Sequence, residues 1–120
     1  MKKYIVPAIT TIIVLAALTG TYLHLSHVPQ LNGIDISHHN RVDWAKIENS
    51  GIEFCYIKAT EGKSFRDPMC KRHFKKAKQL GLHTGLYHYF RTDVPAEQQL
   101  RNFQSVANGM GFNLDPALSV

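Results

Sequence analysis

Short runs along this chain alternate between apolar and polar residues with a period of two. In the first of these runs, Ile34 and Ile36 flank the carboxylate of Asp35. Val, Ile, Tyr and Phe are enriched in the runs, and β-branched and aromatic residues at this period are typical of β-strands. The predicted strands cover residues 31–37, 54–59 and 84–90, and a fourth begins at Pro116.

Apolar residues at helical spacing separate the predicted strands. A first helix is predicted over residues 42–49, and a second begins with Asp67 as its N-cap and ends at Gly81. The third helix has Pro95 in its first turn and breaks at Gly109. The order β-α-β-α-β-α-β predicts parallel strands joined by right-handed helical crossovers.

This alternation is compatible with either a β/α barrel or an open doubly wound sheet. No GxGxxG or Walker loop follows the first strand, which disfavours a nucleotide-binding sheet. A complete β/α barrel needs about 250 residues, whereas residues 31–120 alone remain for it here. The predicted fold class is therefore α/β, as the first half of an irregular β/α (TIM-like) barrel preceded by an N-terminal hydrophobic helix.

The N-terminal segment differs from the rest in composition. Lys2 and Lys3 precede residues 4–26, which contain no Asp, Glu, Lys or Arg. This run is long enough to span a bilayer, which needs about 20 apolar residues. Residues 1–25 are predicted to be a signal peptide or a membrane anchor, and residues 26–30 a linker. The remainder is expected outside the cytoplasm, either anchored and facing the periplasm or cell exterior, or secreted after cleavage.

The chain carries a formal net charge of +5, and many of its basic residues cluster in residues 70–78. A solvated helix face explains this cluster better than a polyanionic partner does. No nucleic-acid-binding motif accompanies it, so no nucleic-acid partner is expected. Neither CxxC nor HExxH occurs, and no metal site is predicted. Cys55 and Cys70 either pair in an oxidising compartment or remain two buried thiols.

Strand parity divides the side chains between two faces of the predicted sheet. One face is mostly apolar and suited to packing against helices, although His88 interrupts it in the third strand. The other face is polar and aromatic, and Glu61 follows just beyond its second strand. Parallel β/α barrels hold their active sites at the carboxyl ends of the strands. The residues predicted to line such a cavity are Asp35, Tyr56, Lys58, Glu61, Tyr87 and Ser119.

Carboxylates together with aromatic rings suit a sugar, which presents apolar ring faces and many hydroxyl groups. A carboxylate such as Asp35 acts in such a cleft as a base, a nucleophile or an electrostatic stabiliser. Two structural alternatives remain at this point. Asp35 would instead form a buried ion pair with Lys58, and Glu61 would only cap a loop.

Several strings in a fixed order resemble one known family. The resemblance covers Asn32 to Val120 and is to the glycoside hydrolase family 25 lysozymes, the Chalaropsis-type N-acetylmuramidases. The strings are GIDISHHNRVDW, YIKATEG, FRDP, GLYHYFR and AEQQLRNF.

This resemblance implies an irregular β/α barrel that cleaves the β-1,4 bond between N-acetylmuramic acid and N-acetylglucosamine in peptidoglycan. It implies no metal or organic cofactor, Asp35 as a catalytic carboxylate, and peptidoglycan glycan strands as the partner. Separately from the resemblance, we expect a monomer. If residues 4–26 are not cleaved off, we expect the membrane as a further partner.

The family also uses an Asp-x-Glu pair on its fourth strand, with the Glu as general acid. Here Ser119 takes the place of that Asp, and the sequence stops at Val120, one position before the Glu. We therefore expect the polypeptide alone to be an incomplete and inactive muramidase domain. The alternative is a non-catalytic wall-binding or membrane-tethered envelope protein derived from the lysozyme fold.

Overall fold

The computed structural model describes residues 30–120. The predicted segment 1–25, its hydrophobic helix and nearly all of the linker 26–30 lie outside the described residues. Within residues 30–120, no helix is both long and apolar enough to cross a membrane. The elements are β1 (Gly33–Ile36), α1 (Trp44–Glu48), β2 (Phe54–Glu61), β3 (Phe65–Arg66), α2 (Cys70–Gln79), β4 (His83–Tyr89), α3 (Ala96–Ala107) and β5 (Ala117–Ser119).

The strands form one sheet in the order β1-β2-β4-β5, and β3 pairs with β2 outside this path. The pairs β1–β2, β2–β4 and β4–β5 are parallel, while β2–β3 is an antiparallel hairpin. Helices connect the successive parallel strands, as parallel pairing requires. The sheet is curled as a half-barrel, which confirms the predicted α/β class and the parallel sheet.

The apolar core lies between the convex face of the sheet and the helices. Ile57, Ala59 and Leu86 are fully buried there and pack with Phe74 and Ala77 of α2. The strand residues lie at alternate positions, and the helix residues lie on one face of α2. The strand period of two and the helix period of about 3.6 therefore direct apolar side chains into the same core.

The two cysteines are free thiols buried on this side. Burial raises the pKa of Cys55 to about 12, and the nearby charge of Asp35 adds to the effect. Burial also raises the pKa of Cys70 to about 12, with a further contribution from Asp67. Both thiols therefore stay protonated and pack as small apolar side chains.

His88 lies on the helix-facing side of β4 and is 3% exposed. Thr60 Oγ1 is 2.7 Å from its Nδ1, and Gln99 Oε1 is 2.9 Å from its Nε2. Because the Gln99 amide nitrogen donates to the carbonyls of Arg91 and Val94, the Gln99 Oε1 accepts from the Nε2–H of His88. The histidine that made the parity of this strand ambiguous thus joins β2, β4 and α3 through satisfied hydrogen bonds.

Helix α2 begins at Cys70, later than the predicted start after Asp67. A turn over Pro68 and Met69 precedes it, in which Asp67 Oδ1 accepts the Met69 N–H at 2.8 Å and the Asp67 carbonyl accepts the Cys70 N–H at 3.2 Å. Asp67 therefore caps this turn rather than the first turn of the helix. The short strand β3 was not predicted, because two residues carry no readable period.

Two strand glycines make room for aromatic rings on the concave face. Gly33 pairs with Phe54, and Gly85 pairs with Tyr56. A Cβ atom at Gly33 would lie 2.1 Å from the Phe54 ring, and one at Gly85 would lie 2.3 Å from the Tyr56 ring. The rings can lie flat across the neighbouring strand only because these positions have no side chain.

We predict that Gly85→Ala lowers the free energy of unfolding by about 1–3 kcal/mol, because the added methyl group overlaps the Tyr56 ring. Urea denaturation of the full chain measures this loss. In a Tyr56→Ala background the same substitution should cost less than about 0.5 kcal/mol, since the overlapping ring is gone. Equal losses in both backgrounds would contradict the proposed overlap.

Candidate active site

The concave face of the sheet carries side chains in three successive levels. The strand register sets these levels, since directly paired residues of neighbouring strands share a face. All six sequence-predicted site residues lie on this face. From the amino to the carboxyl ends of the strands, the levels are Asp35, Tyr56 and Gly85, then Lys58, Tyr87 and Ala117, then Glu61, Tyr89 and Ser119.

A β-bulge in β2 brings Lys58 and Glu61 to the same face. Lys58 pairs with Tyr87 and Thr60 pairs with His88, so Ala59 is the extra residue of the bulged strand. In a regular strand, residues three positions apart point to opposite faces. The extra residue reverses this parity, as β-bulges do near active sites.

Lys58 and Glu61 form an ion pair at the rim of the concave face. The rim is the level of Glu61, Tyr89 and Ser119 at the carboxyl ends of the strands. Lys58 Nζ lies 2.6 Å from Glu61 Oε2, and Arg91 lies 3.5 Å from the other carboxylate oxygen. The hydrogen bond from Lys58 lowers the pKa of Glu61; partial burial opposes this, and the charges of Lys58 and Arg91 add to it. The suggested Asp35–Lys58 pair is therefore wrong, because Lys58 sits one level higher and binds Glu61.

Aromatic rings surround the Lys58 ammonium group. Its Nζ lies 5.1 Å from the centre of the Tyr89 ring and 5.5 Å from that of Phe65. Lys58 is only 6% exposed. Cation–π contacts and the Glu61 carboxylate together compensate for removing this charge from water.

Asp35 lies open on the concave face and is exposed to solvent. Burial raises the pKa of Tyr87, and the negative charges of Asp35 and Asp67 raise it further, while a hydrogen bond with Ser37 opposes them. The Tyr87 hydroxyl therefore keeps its proton and can donate it in a hydrogen bond. A carboxylate and a phenol thus share one solvent-accessible concavity.

Two of the predicted residues are engaged by the backbone around them. The Tyr56 hydroxyl donates to the Asp115 carbonyl at 2.9 Å, so its ring forms the floor of the concavity and its hydroxyl is already used. Ser119 lies on the uppermost level beside Tyr89, and its carbonyl accepts the Phe90 N–H at 2.7 Å. The Ser119 side chain is left on the concave face.

A histidine–aspartate pair at the end of β1 was missed by the sequence interpretation. Asp67 Oδ2 accepts the backbone N–H of His38 at 2.9 Å and lies 2.8 Å from its Nδ1. The Asp67 side chain is fully buried, whereas that of His38 is 25% exposed. The pair fixes the His38 ring beside Phe65, with 5.3 Å between ring centres.

Hydrogen bonds decide the charge state of Asp67. Burial by itself would raise the pKa of this carboxyl, but the hydrogen bonds from His38 and Met69 outweigh burial and lower it. Asp67 was interpreted as a helix cap because an Asp-Pro pair before a helix is typical of one. Its contact with His38 spans 29 positions, and a local pattern does not contain such a separation.

The concave face combines carboxylates, a phenol and aromatic rings, which are groups that suit a sugar. Within residues 30–120, no group of three His, Cys, Asp or Glu side chains is arranged to hold a metal ion. Residues 34–119 match the model of the glycosyl hydrolases family 25. The chain belongs to this family.

Two bacterial proteins are similar in sequence to this chain. The autolytic lysozyme of Clostridium acetobutylicum is 38% identical over 86 residues, which cover 71% of this chain and 26% of that protein. The uncharacterized protein YegX of Escherichia coli O157:H7 is 41% identical over 86 residues, 64% of this chain and 32% of that protein. The chain therefore spans about a third or less of the length of these relatives.

Solved structures resemble the described fold. A family 25 glycosyl hydrolase from Bacillus anthracis matches with a TM-score of 0.69 and 28% identity, over 78% of this chain and 45% of that one. A muramidase from Acremonium alcalophilum matches with a TM-score of 0.67 and 34% identity, over 74% and 45% of the two chains. The half-barrel thus corresponds to less than half of these proteins.

We predict that Asp67→Asn destabilises the chain at neutral pH by about 1–3 kcal/mol, because the amide leaves buried donors of His38 and Met69 without their charged acceptor. The folded-state pKa of Asp67 lies below its ordinary value of 3.8. Its contribution is therefore complete above that pH and is lost as the pH falls through the lower folded-state value. Urea denaturation at neutral and strongly acidic pH measures the difference.

The matched control is Asp93→Asn, at a carboxylate whose side chain is 79% exposed. This variant should match the unchanged chain at both pH values. A stability difference for Asp67→Asn that stays constant on acidification would contradict the proposed role of the ionised carboxylate.

Proposed function

We propose that this chain supplies the first half of the saccharide cleft of a peptidoglycan muramidase. The bond cleaved is the β-1,4 linkage between N-acetylmuramic acid and N-acetylglucosamine. The observation that carries the proposal is the open carboxylate of Asp35 on the same concave face as the protonated Tyr87 and the Lys58–Glu61 pair. The family match and the lysozymes among the relatives support the same chemistry.

Each side chain of the concavity has a proposed role toward a sugar polymer. Asp35 stabilises positive charge that develops at the anomeric carbon, or orients the attacking group. The Tyr87 hydroxyl donates to a sugar oxygen, and the Tyr56 and Tyr89 rings provide apolar platforms. Glu61, whose side chain is 30% exposed, accepts hydrogen bonds from sugar hydroxyls, and the buried Lys58 holds that carboxylate in place.

Proton donation to the leaving oxygen needs a carboxyl group that is protonated near neutral pH. Glu61 and Asp67 do not meet this requirement, because the pKa of each is lowered. Ser119 has no acidic proton to give, although it keeps a hydrogen-bonding group at the rim. We infer that residues 30–120 bind glycan and contribute Asp35, while neither Glu61 nor Asp67 acts as the general acid.

A second candidate function is wall binding without cleavage, which Ser119 at the rim favours. In that case the concavity would hold glycan strands and no chemistry would follow. For both candidates we propose export, with residues 1–25 acting as a signal peptide or as an anchor that leaves the half-barrel in the periplasm or at the cell exterior. The two functions differ in whether Asp35 affects the rate at which peptidoglycan is cleaved.

A chimera tests the catalytic role of Asp35. Residues 34–119 of this chain replace the matching part of the Clostridium acetobutylicum autolytic lysozyme, and clearing of a peptidoglycan suspension is followed. We predict that the chimera clears walls and that Asp35→Asn slows it by a factor of about 10² or more, because a carboxylate of the reaction is lost.

The matched control in this chimera is Asp115→Asn, the same chemical change near the amino end of β5, which should leave the clearing rate unchanged. Thermal unfolding verifies that each variant is folded. A folded chimera that clears walls equally well with Asp35→Asn would remove this residue from the mechanism. Wall binding by a folded chimera that never clears walls would favour the second candidate.

A further inference from the structure

A cationic pocket lies on the outer side of the β2–β3 hairpin, away from the saccharide concavity. It has a volume of about 460 Å³. Three of its side chains are cations, and none is a carboxylate. The lining residues are Lys63, Ser64, Arg66, Gln98, Arg101 and Asn102.

The hairpin register separates this pocket from the concavity. Phe65 pairs with Glu61 and therefore faces the saccharide side, where it lies near Lys58. Arg66 pairs with Thr60, whose hydroxyl contacts His88 on the helix-facing side. Consecutive residues of one strand point to opposite faces. Phe65 therefore faces the concavity, and its neighbour Arg66 lines the cationic pocket on the opposite face.

Asn102 holds the hairpin against α3. Its side-chain amide is 5% exposed and donates to the carbonyls of Gly62 at 3.0 Å and Phe65 at 3.1 Å. The turn that carries Lys63 is therefore fixed relative to the helix that carries Arg101. The backbone positions that carry the cations are therefore set before a ligand binds, while the side chains of Lys63, Arg66 and Arg101 are exposed.

Within residues 30–120, Arg101 is the one pocket cation that forms an ion pair. Arg101 lies 3.8 Å from Glu97, and both side chains are more than half exposed. Such surface pairs contribute little and give way to a better partner. Guanidinium groups bind planar carboxylates through two parallel hydrogen bonds, which an ammonium group alone does not provide.

We propose that this pocket binds a carboxylate of the peptide stems attached to the glycan strand. The proposal rests on the proposed function, because it assumes a peptidoglycan strand in the neighbouring concavity. Peptide stems project from the muramic acid residues and carry free carboxylates. A glycan strand lying across Phe65 would place one of its peptide stems near the opposite face of the hairpin, which carries Arg66 next to Arg101.

Co-sedimentation of the full chain with insoluble peptidoglycan tests this proposal. Two insoluble substrates are compared, intact peptidoglycan and the same peptidoglycan with the free carboxylates of its peptide stems converted into amides. We predict that Arg66→Gln combined with Arg101→Gln weakens binding to intact peptidoglycan by about tenfold, through loss of charge-assisted hydrogen bonds. Binding to the amidated peptidoglycan should change by less than about twofold, because no carboxylate is left there for the two guanidinium groups.

The matched control is Lys75→Gln combined with Lys76→Gln on α2, two exposed cations outside the pocket. It removes the same charge and should leave both binding curves unchanged. Equal weakening on the two substrates, or no weakening on either, would overturn the peptide-carboxylate proposal while leaving glycan binding intact. If the unchanged chain binds neither substrate, the proposed saccharide cleft itself is wrong.

Discussion

The parallel register of the sheet, with its single break between Lys58 and Thr60, determines which side chains face the concave side. Without the extra residue at Ala59, Glu61 would turn toward the helices and Lys58 would lose its carboxylate partner. A buried lysine without an anion costs several kcal/mol or gives up its proton. The bulge therefore joins the apolar core of the convex face to a charged rim on the other side.

This arrangement assigns different tasks to similar groups. Glu61 and Asp67 are held as anions by hydrogen-bond donors, so they stabilise the rim and the turn after β1. Among residues 30–120 no side chain forms a hydrogen bond or an ion pair with Asp35, which is exposed on the concave face. Glycoside hydrolases commonly use two carboxyl groups whose different surroundings give them different protonation states and different roles. The carboxylates that stabilise the fold and the carboxylate proposed for chemistry are thus neighbouring but different residues.

Alternation along the strands predicted the four parallel strands, the three helices between them and the side of the sheet that carries Asp35. These features depend on local periodicity, which a sequence displays directly. The bulge at Ala59 and the two-residue strand β3 depend on pairing between segments, and no period marks them. The contact of His38 with Asp67 joins two segments far apart in the chain. Predicted ends of elements shifted for a related reason, since Asp67 uses its carboxylate for a long-range contact as well as for a turn.

The most direct test of the central claim is a titration of the isotope-labelled full chain with a soluble N-acetylglucosamine–N-acetylmuramic acid fragment, followed by nuclear magnetic resonance. The proposed cleft predicts chemical-shift changes concentrated at Asp35, Tyr87 and the carboxyl ends of β2 and β4, with the outer helix faces unaffected. Changes confined to the helices, or saturation without any change at Asp35 and Tyr87, would contradict it.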